Sequence, residues 1–173
     1  MIAVDPKLIT QGEFATGDED ADVISTVLGS CVAACLWDPV AGIGGMNHIL
    51  LPDNTGGSSD ATGAGVNAME LLINAIIKQG GQKCRLRAKV FGGGKMISLA
   101  SEVGKRNIEF VLGFLEDEGI ECCANSLGGE QARRVMFWPH SGRARQKLLG
   151  RVDIAEERVP VPVKRQAEDV ELF

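Results

Sequence analysis

Two side chains in this sequence have the types and the setting for joint chemistry, Cys31 and His48. A free thiol titrates at about 8.5 and is only a few per cent thiolate at neutral pH, so a working nucleophile needs a base or a cation beside it. Cys31 directly follows Gly29-Ser30, where the backbone turns into an apolar run, so its sulfur can stand at an edge with amide groups exposed nearby. A cysteine in an apolar run is ordinarily a small core hydrophobe, and Cys35, in the same run without the glycine, is assigned that role. His48, preceded by Asn47, interrupts an apolar segment, and a polar ring there must find a partner, structural or catalytic. His140 follows Pro139 in a turn-like stretch, where an exposed imidazole is the ordinary expectation. A third group should hold the imidazole in one tautomer. The hydroxyls of Ser25 and Thr26 precede Cys31 on the incoming strand, and alternation points them to opposite faces, so only one can serve.

The elements that must position these groups can be read from the pattern. Val23 to Leu28 reads as a short strand, and Cys31 to Trp37 as a second, nearly all apolar, which suggests burial on both faces. Asp38-Pro39 followed by Gly42 is turn chemistry, and Ile43 to Leu51 resumes an extended pattern up to Pro52. The two segments read as an antiparallel hairpin that could fold Cys31 and His48 together. Asp53 to Gly63 has the composition of an exposed loop, placed to border a substrate groove. Ala64 to Gln79 is helical by spacing, stopped by Gly80-Gly81, and Lys105 to Asp117 is a second amphipathic helix with Gly119 beyond its end. Cys84 to Phe91 alternates apolar and basic residues as a half-exposed strand does. Ile120 to Leu127 and Arg133 to Trp138 are further strands, Ala144 to Leu149 a last edge strand. This order predicts a mixed α/β fold, helices packed on a largely antiparallel sheet. Residues 1–150 form one domain, and 151–173, rich in charge and proline, an arm or tail.

Composition excludes several classes. With 173 residues the chain suits one core, burying roughly 68–70% of its unfolded surface. No apolar run approaches the roughly 18 residues of a membrane helix, and Asp5, Pro6 and Lys7 stand where a signal peptide would be apolar. Five cysteines without metal or CxxC spacing point to reduced thiols in the cytoplasm, with Cys122-Cys123 read as buried strand. A net charge of −5 argues against a general nucleic-acid binder. The acidic stretch Gly17 to Asp22 reads as a solvated loop.

Gly92-Gly93-Gly94-Lys95 is not a phosphate loop, because Lys89 stands where the first glycine is needed and Met96 where a Ser or Thr is needed. A strand end with close backbone approach fits better. Gly29, Ser30, Gly92, Gly93 and Gly94 are therefore the candidate substrate-binding positions. Gly128 to Arg134 reads as a turn with a basic exit whose arginines are surface charges; Lys89, Arg133 and Arg134 are the cations available to steer a carboxylate-bearing partner.

The ordered set LGSCVAACLWDP (Leu28 to Pro39), GGMNHILLPD (Gly44 to Asp53), FGGG (Phe91 to Gly94), VGKRN (Val103 to Asn107) and GGEQARR (Gly128 to Arg134) resembles the CheD family of chemoreceptor glutamine deamidases. The resemblance implies an α/β sandwich of mixed sheets flanked by helices, similar to the deamidase domain of a cytotoxic necrotising factor. It implies Cys31 as nucleophile, His48 as general base, and a threonine upstream of the motif as the residue orienting the ring: Thr26 by identity, Ser25 by the longer spacing. The implied substrates are glutamines in the cytoplasmic coiled coil of methyl-accepting chemotaxis receptors, with methylesterase activity and binding to a CheC-type phosphatase as further family properties. No cofactor or metal is called for. The other function class is a non-catalytic adaptor. Thiol labelling at graded pH separates the two, a depressed Cys31 pKa favouring the enzyme and an ordinary one the adaptor. A cysteine peptidase is weaker, since no peptidase signature surrounds Cys31.

Overall fold

The run Val32–Asp38 is apolar without alternation because both of its faces are covered. In the computed structural model, which describes residues 4–52, 58–96, 101–150 and 170–173, this strand (β4) sends Val32, Ala34 and Leu36 into a core shared with two helices. It sends Ala33, Cys35 and Trp37 into a second core shared with another sheet. The layers are helices, sheet, sheet.

The central sheet has the order β2-β5-β4-β6-β7, with β2 at Phe14–Gly17, β5 at Ile43–Asn47, β6 at Arg87–Gly92 and β7 at Glu121–Leu127. Helices α1 (Ser58–Lys78) and α2 (Ser101–Asp117) lie on its outer face through Met69, Leu72, Ile76, Val111 and Leu115. The other sheet has the order β1-β3-β8-β9-β10, formed by Lys7–Leu8, Ile24–Leu28, Ala132–Trp138, Arg143–Leu149 and Val170–Leu172. Only the pairs β1–β3 and β6–β7 are parallel among the described residues. The mixed, largely antiparallel sandwich flanked by helices is the expected class.

The Asp38-Pro39 turn has a specific anchor. Asp38 is fully buried; its carboxylate accepts from the N–H groups of Val40 and Ala41 and, across the fold, from Gln82 N–H and the Arg85 guanidinium. Burial pushes its carboxyl up, but these donors overturn that and hold it at about 2.

Several expectations are corrected. Residues 58–63 are the first turns of α1, not loop, because Ser, Asp and Thr are frequent at helix starts as well as in loops. Residues 53–57 of that stretch lie outside the described residues. Likewise α2 begins at Ser101, ahead of the apolar spacing that marked it from Lys105. Cys123 is exposed and Cys122 half-buried, because β7 is an edge strand with alternating burial. Lys83–Arg85 form a 3-10 turn, and β6 beyond it is a central strand, more buried than its basic residues suggested. Arg133 is no surface charge: it is 3% exposed, donating to the carbonyls of Ser126 and Gly128. Strand β9 is not the edge, since Val170–Leu172 pair beyond it and Phe173 packs edge-on against Phe91. That docked end is the described part of the expected tail; 151–169 lie outside the described residues. Strands β1 and β2, short and weakly patterned, add to the expected element order.

Candidate active site

The hairpin of β4 and β5 sets the frame. Cys35 stands opposite Met46, and the isolated bridge between Val32 and Ile49 continues the same register after an interruption. In that frame Cys31 and His48 are diagonal neighbours across the pair, both on the face that looks toward the second sheet, at a Cβ separation on the order of 7 Å, within reach of an aromatic ring. The interruption has a cause. The side-chain Oδ1 of Asn47 accepts the N–H of Ala34 at 2.9 Å, while its Nδ2 donates to Met69 Sδ at 3.4 Å. The backbone of His48 is held instead from the other side, its N–H donating to Glu13 O at 3.0 Å and its carbonyl accepting from Gly12 N at 2.9 Å.

Thr26 reaches the ring from the opposite sheet. On β3 the residues Ile24 and Leu28 face inward, and so does Thr26 between them; Ser25 points the other way. The Thr26 hydroxyl lies 2.7 Å from the Ile9 carbonyl oxygen and 2.7 Å from His48 Nδ1. A carbonyl can only accept, so the single hydroxyl proton goes to Ile9 and Thr26 presents a lone pair to the ring. Hydrogen-bond logic then puts the imidazole proton on Nδ1 and leaves Nε2 as the basic atom. Of the two candidate hydroxyls, the fold brings Thr26 to His48 and turns Ser25 away.

Burial controls both ionisable groups. Desolvation lowers His48 to about 4, partly opposed by the Glu13 carboxylate, so the ring is neutral at pH 7. Burial pushes the Cys31 thiol up. The free protein therefore holds a neutral thiol and a neutral imidazole, not a thiolate–imidazolium pair. Cys35, fully buried, is pushed far up and belongs to the inter-sheet core.

The segment carrying Cys31 is braced by the three glycines after β6. Gly93 N–H donates to Cys31 O at 2.8 Å and Gly94 N–H to Gly29 O at 2.9 Å. A Cβ on Gly92 would sit 2.2 Å from Cys31 O, and its φ of +111° already favours glycine. The close backbone approach expected of these glycines is thus made by the chain's own Gly29–Cys31 segment. Asn107, which the sequence reading did not single out, sits on α2 fully buried; its Nδ2 donates to Ser30 O at 2.9 Å and its Oδ1 accepts Leu51 N–H at 3.0 Å. The signal was present: Gly104, Asn107, Ile108 and Val111 share the buried stripe of α2, and a carboxamide there must be paired.

Other candidates lie elsewhere. His140 bonds the carbonyls of Asp18 and Gly42 through Nδ1 and pairs with Asp20 through Nε2, tying three loops. Lys89 donates to Phe173 O and Arg133 is internal, so neither steers a partner. The exposed Arg143 and Arg145 instead flank the Trp138 ring at 4.0 and 5.8 Å. Among the described residues no group of three or more His, Cys, Asp or Glu is placed to hold a metal ion, and no helix is long and apolar enough to cross a membrane.

Fold and site together define an α/β sandwich protein with a thiol, an imidazole and a hydroxyl bonded to that imidazole at one end of its inter-sheet space. Residues 50–148 match the family described as CheD chemotactic sensory transduction. The chain is 52% identical to a protein of Agrobacterium fabrum named probable chemoreceptor glutamine deamidase CheD, covering 95% of this chain and 94% of that one. Proteins of the same name from Rhizobium etli and Caulobacter sp. are each 51% identical, covering 95% of this chain and 94% and 91% of theirs. The chain belongs to the CheD family. Among solved structures, a Bacillus licheniformis hypothetical protein, YfiH, is similar at 16% identity with a TM-score of 0.43, over 65% of this chain and 49% of that one.

Proposed function

We propose that this protein deamidates glutamine side chains of chemoreceptors, with Cys31 as nucleophile, His48 as general base and acid, and Thr26 as the residue that orients the ring. The observation that carries this is the Thr26–His48 hydrogen bond of fixed polarity, on the face Cys31 shares. The Cys31 sulfur attacks the carboxamide carbon while Nε2 of His48 takes the thiol proton. The tetrahedral adduct then collapses, His48 returns the proton to nitrogen, ammonia leaves and a thioester remains. Water, activated by the same imidazole, hydrolyses it to a glutamate carboxylate and the free thiol. General acid–base transfer of this kind is typically worth ~10²–10⁴ in rate.

A depressed thiol does not support this reading, since burial raises Cys31. What supports it is a neutral pair with the imidazole already in the productive tautomer, so that proton transfer accompanies attack. The N–H groups of Ser30 and Cys31 make no hydrogen bond among the described residues and are the candidate oxyanion donors, at about 10²–10³ each. Gly29 and Gly92 to Gly94 then act by holding that segment. The scheme calls for no cofactor.

The partners in this reading are methyl-accepting chemotaxis receptors, met in the cytoplasm, and a CheC-type phosphatase; receptor methylesters are a second substrate class for the same thiol. Residues 1–150 are the catalytic unit and 151–173 an arm whose end docks on it. The test is mass detection of amide-to-acid conversion in a receptor fragment incubated with wild type, Cys31→Ala, His48→Ala and Cys35→Ala. Loss in the first two variants and retention in the third is expected. Full activity in Cys31→Ala would sink this mechanism, and absence of turnover in the wild type would leave the adaptor role.

A further inference from the structure

We propose that Asn107 is a positioning residue that sets the Cys31–His48 geometry, a role that rests on the catalytic reading above. Cys31 lies one residue after Ser30 and His48 three residues before Leu51, and beyond the Val32–Ile49 bridge no backbone hydrogen bond joins these two segments among the described residues. A single carboxamide spans them: Asn107 gives a proton to Ser30 O at 2.9 Å and takes one from Leu51 N–H at 3.0 Å. It does so from a third element, α2, with no exposed surface. The same helix face holds Gly104, where a Cβ would sit 2.6 Å from Gly93 O, and Gly93 in turn bonds Cys31 O. Arg106 adds bonds to the carbonyls of Leu51 and Pro52 at 3.2 and 3.1 Å. The first turns of α2 are therefore a template on which both reacting segments are seated, and Asn107 is the point where one side chain registers one segment against the other. A displacement near 1 Å of a reacting group costs about 10²-fold in rate, the scale expected for losing that register.

The experiment is a double-mutant cycle between Asn107→Ala and His48→Ala on the full chain, well below the melting temperature of each variant. Deamidation of a receptor fragment is read as kcat and KM, and Cys31 alkylation by iodoacetamide is read by peptide mass. In the wild-type background His48→Ala removes general-base catalysis, ~10²–10⁴. In the Asn107→Ala background kcat is already about 10²-fold down with KM little changed, and adding His48→Ala costs less than tenfold more. Losses that multiply overturn the proposal and leave Asn107 a purely structural residue. Alkylation separates this from failure of the functional reading, because it needs no receptor. His48→Ala should change the Cys31 alkylation rate in the wild-type background and not in Asn107→Ala; equal dependence in both overturns the proposal even if no deamidation is found. If Asn107→Ala does not fold, Asn107→Asp repeats the comparison: it keeps the acceptor for Leu51 N–H but offers Ser30 O no donor at neutral pH, and the same loss of His48 coupling is expected.

Discussion

The Thr26 hydroxyl stands 2.7 Å from His48 Nδ1 while spending its own proton on the Ile9 carbonyl, so the hydrogen bond between the two side chains can run in only one direction. Thr26→Val keeps shape and burial but removes the acceptor, freeing the ring to place its proton on either nitrogen. A loss on the order of 10² in kcat is expected, with recovery in Thr26→Ser. Ser25→Ala should leave kcat at the wild-type level, because that hydroxyl points away; equal losses in both variants would contradict the assignment.

The pH profile is expected to be unusual for a cysteine–histidine enzyme. With His48 lowered to about 4 by burial, the acid limb of kcat/KM, which reports the free enzyme, should fall near pH 4 instead of near 6.5. Iodoacetamide labelling of Cys31 should rise only above the ordinary thiol range, since its pKa is raised. A labelling midpoint below pH 7 would mean a resting ion pair and refute the neutral-pair account.

Acid stability has two steps of known sign. A histidine whose folded pKa lies below its unfolded one costs stability as pH falls from about 6.5 toward 4, where the unfolded chain takes up the proton first. Asp38, lowered from 3.8 to about 2, contributes stability that is present above pH 4 and lost as pH falls through 2. His48→Gln should flatten the first step and Asp38→Asn the second in urea unfolding at graded pH.

Asp38 is at the far end of β4 from Cys31, so its role is stability alone. Asp38→Ala strands the Arg85 guanidinium and the Gln82 N–H and should cost about 3 kcal/mol, roughly 6–12 °C in Tm, by calorimetry. Turnover of the folded fraction at low temperature should be unchanged.

Two glycine substitutions should move in opposite directions. Gly92→Ala drives a methyl into Cys31 O at a left-handed backbone position, and should lower both Tm and kcat. Gly113→Ala, in α2 with open space around it, should raise stability by up to about 1 kcal/mol with kcat unchanged.

Much of this was legible in residue order. The unbroken apolar run at Val32 to Trp37 announced a strand covered on both sides, and Asp38-Pro39-Gly42 announced the turn that folds His48 back toward Cys31. Asn47 showed itself as a polar break, although its function of relieving the ladder at Ala34 did not. What stayed hidden was long-range and carried by backbone atoms. The Ile9 carbonyl that polarises Thr26 has no sequence signature, and the parity that sends Thr26 inward and Ser25 outward depends on which face meets the other sheet. Arg133 misled for a similar reason: a turn-flanking arginine reads as solvated until the carbonyls of Ser126 and Gly128 are seen around it.

The two sheets draw on different stretches of chain. Strand β3, which supplies Thr26, pairs Ile24 with Phe137, so its antiparallel neighbour is made more than a hundred residues later. At translation rates of about 5–20 residues per second, β3 waits on the order of ten seconds for that neighbour to emerge. Such non-local pairing slows folding and exposes apolar strand edges meanwhile. The hairpin bearing Cys31 and His48 can close early, but the Thr26 hydroxyl that bonds His48 Nδ1 docks with the second sheet. A ribosome-bound fragment ending before β8 would carry the thiol and the imidazole without the hydrogen bond that fixes the ring.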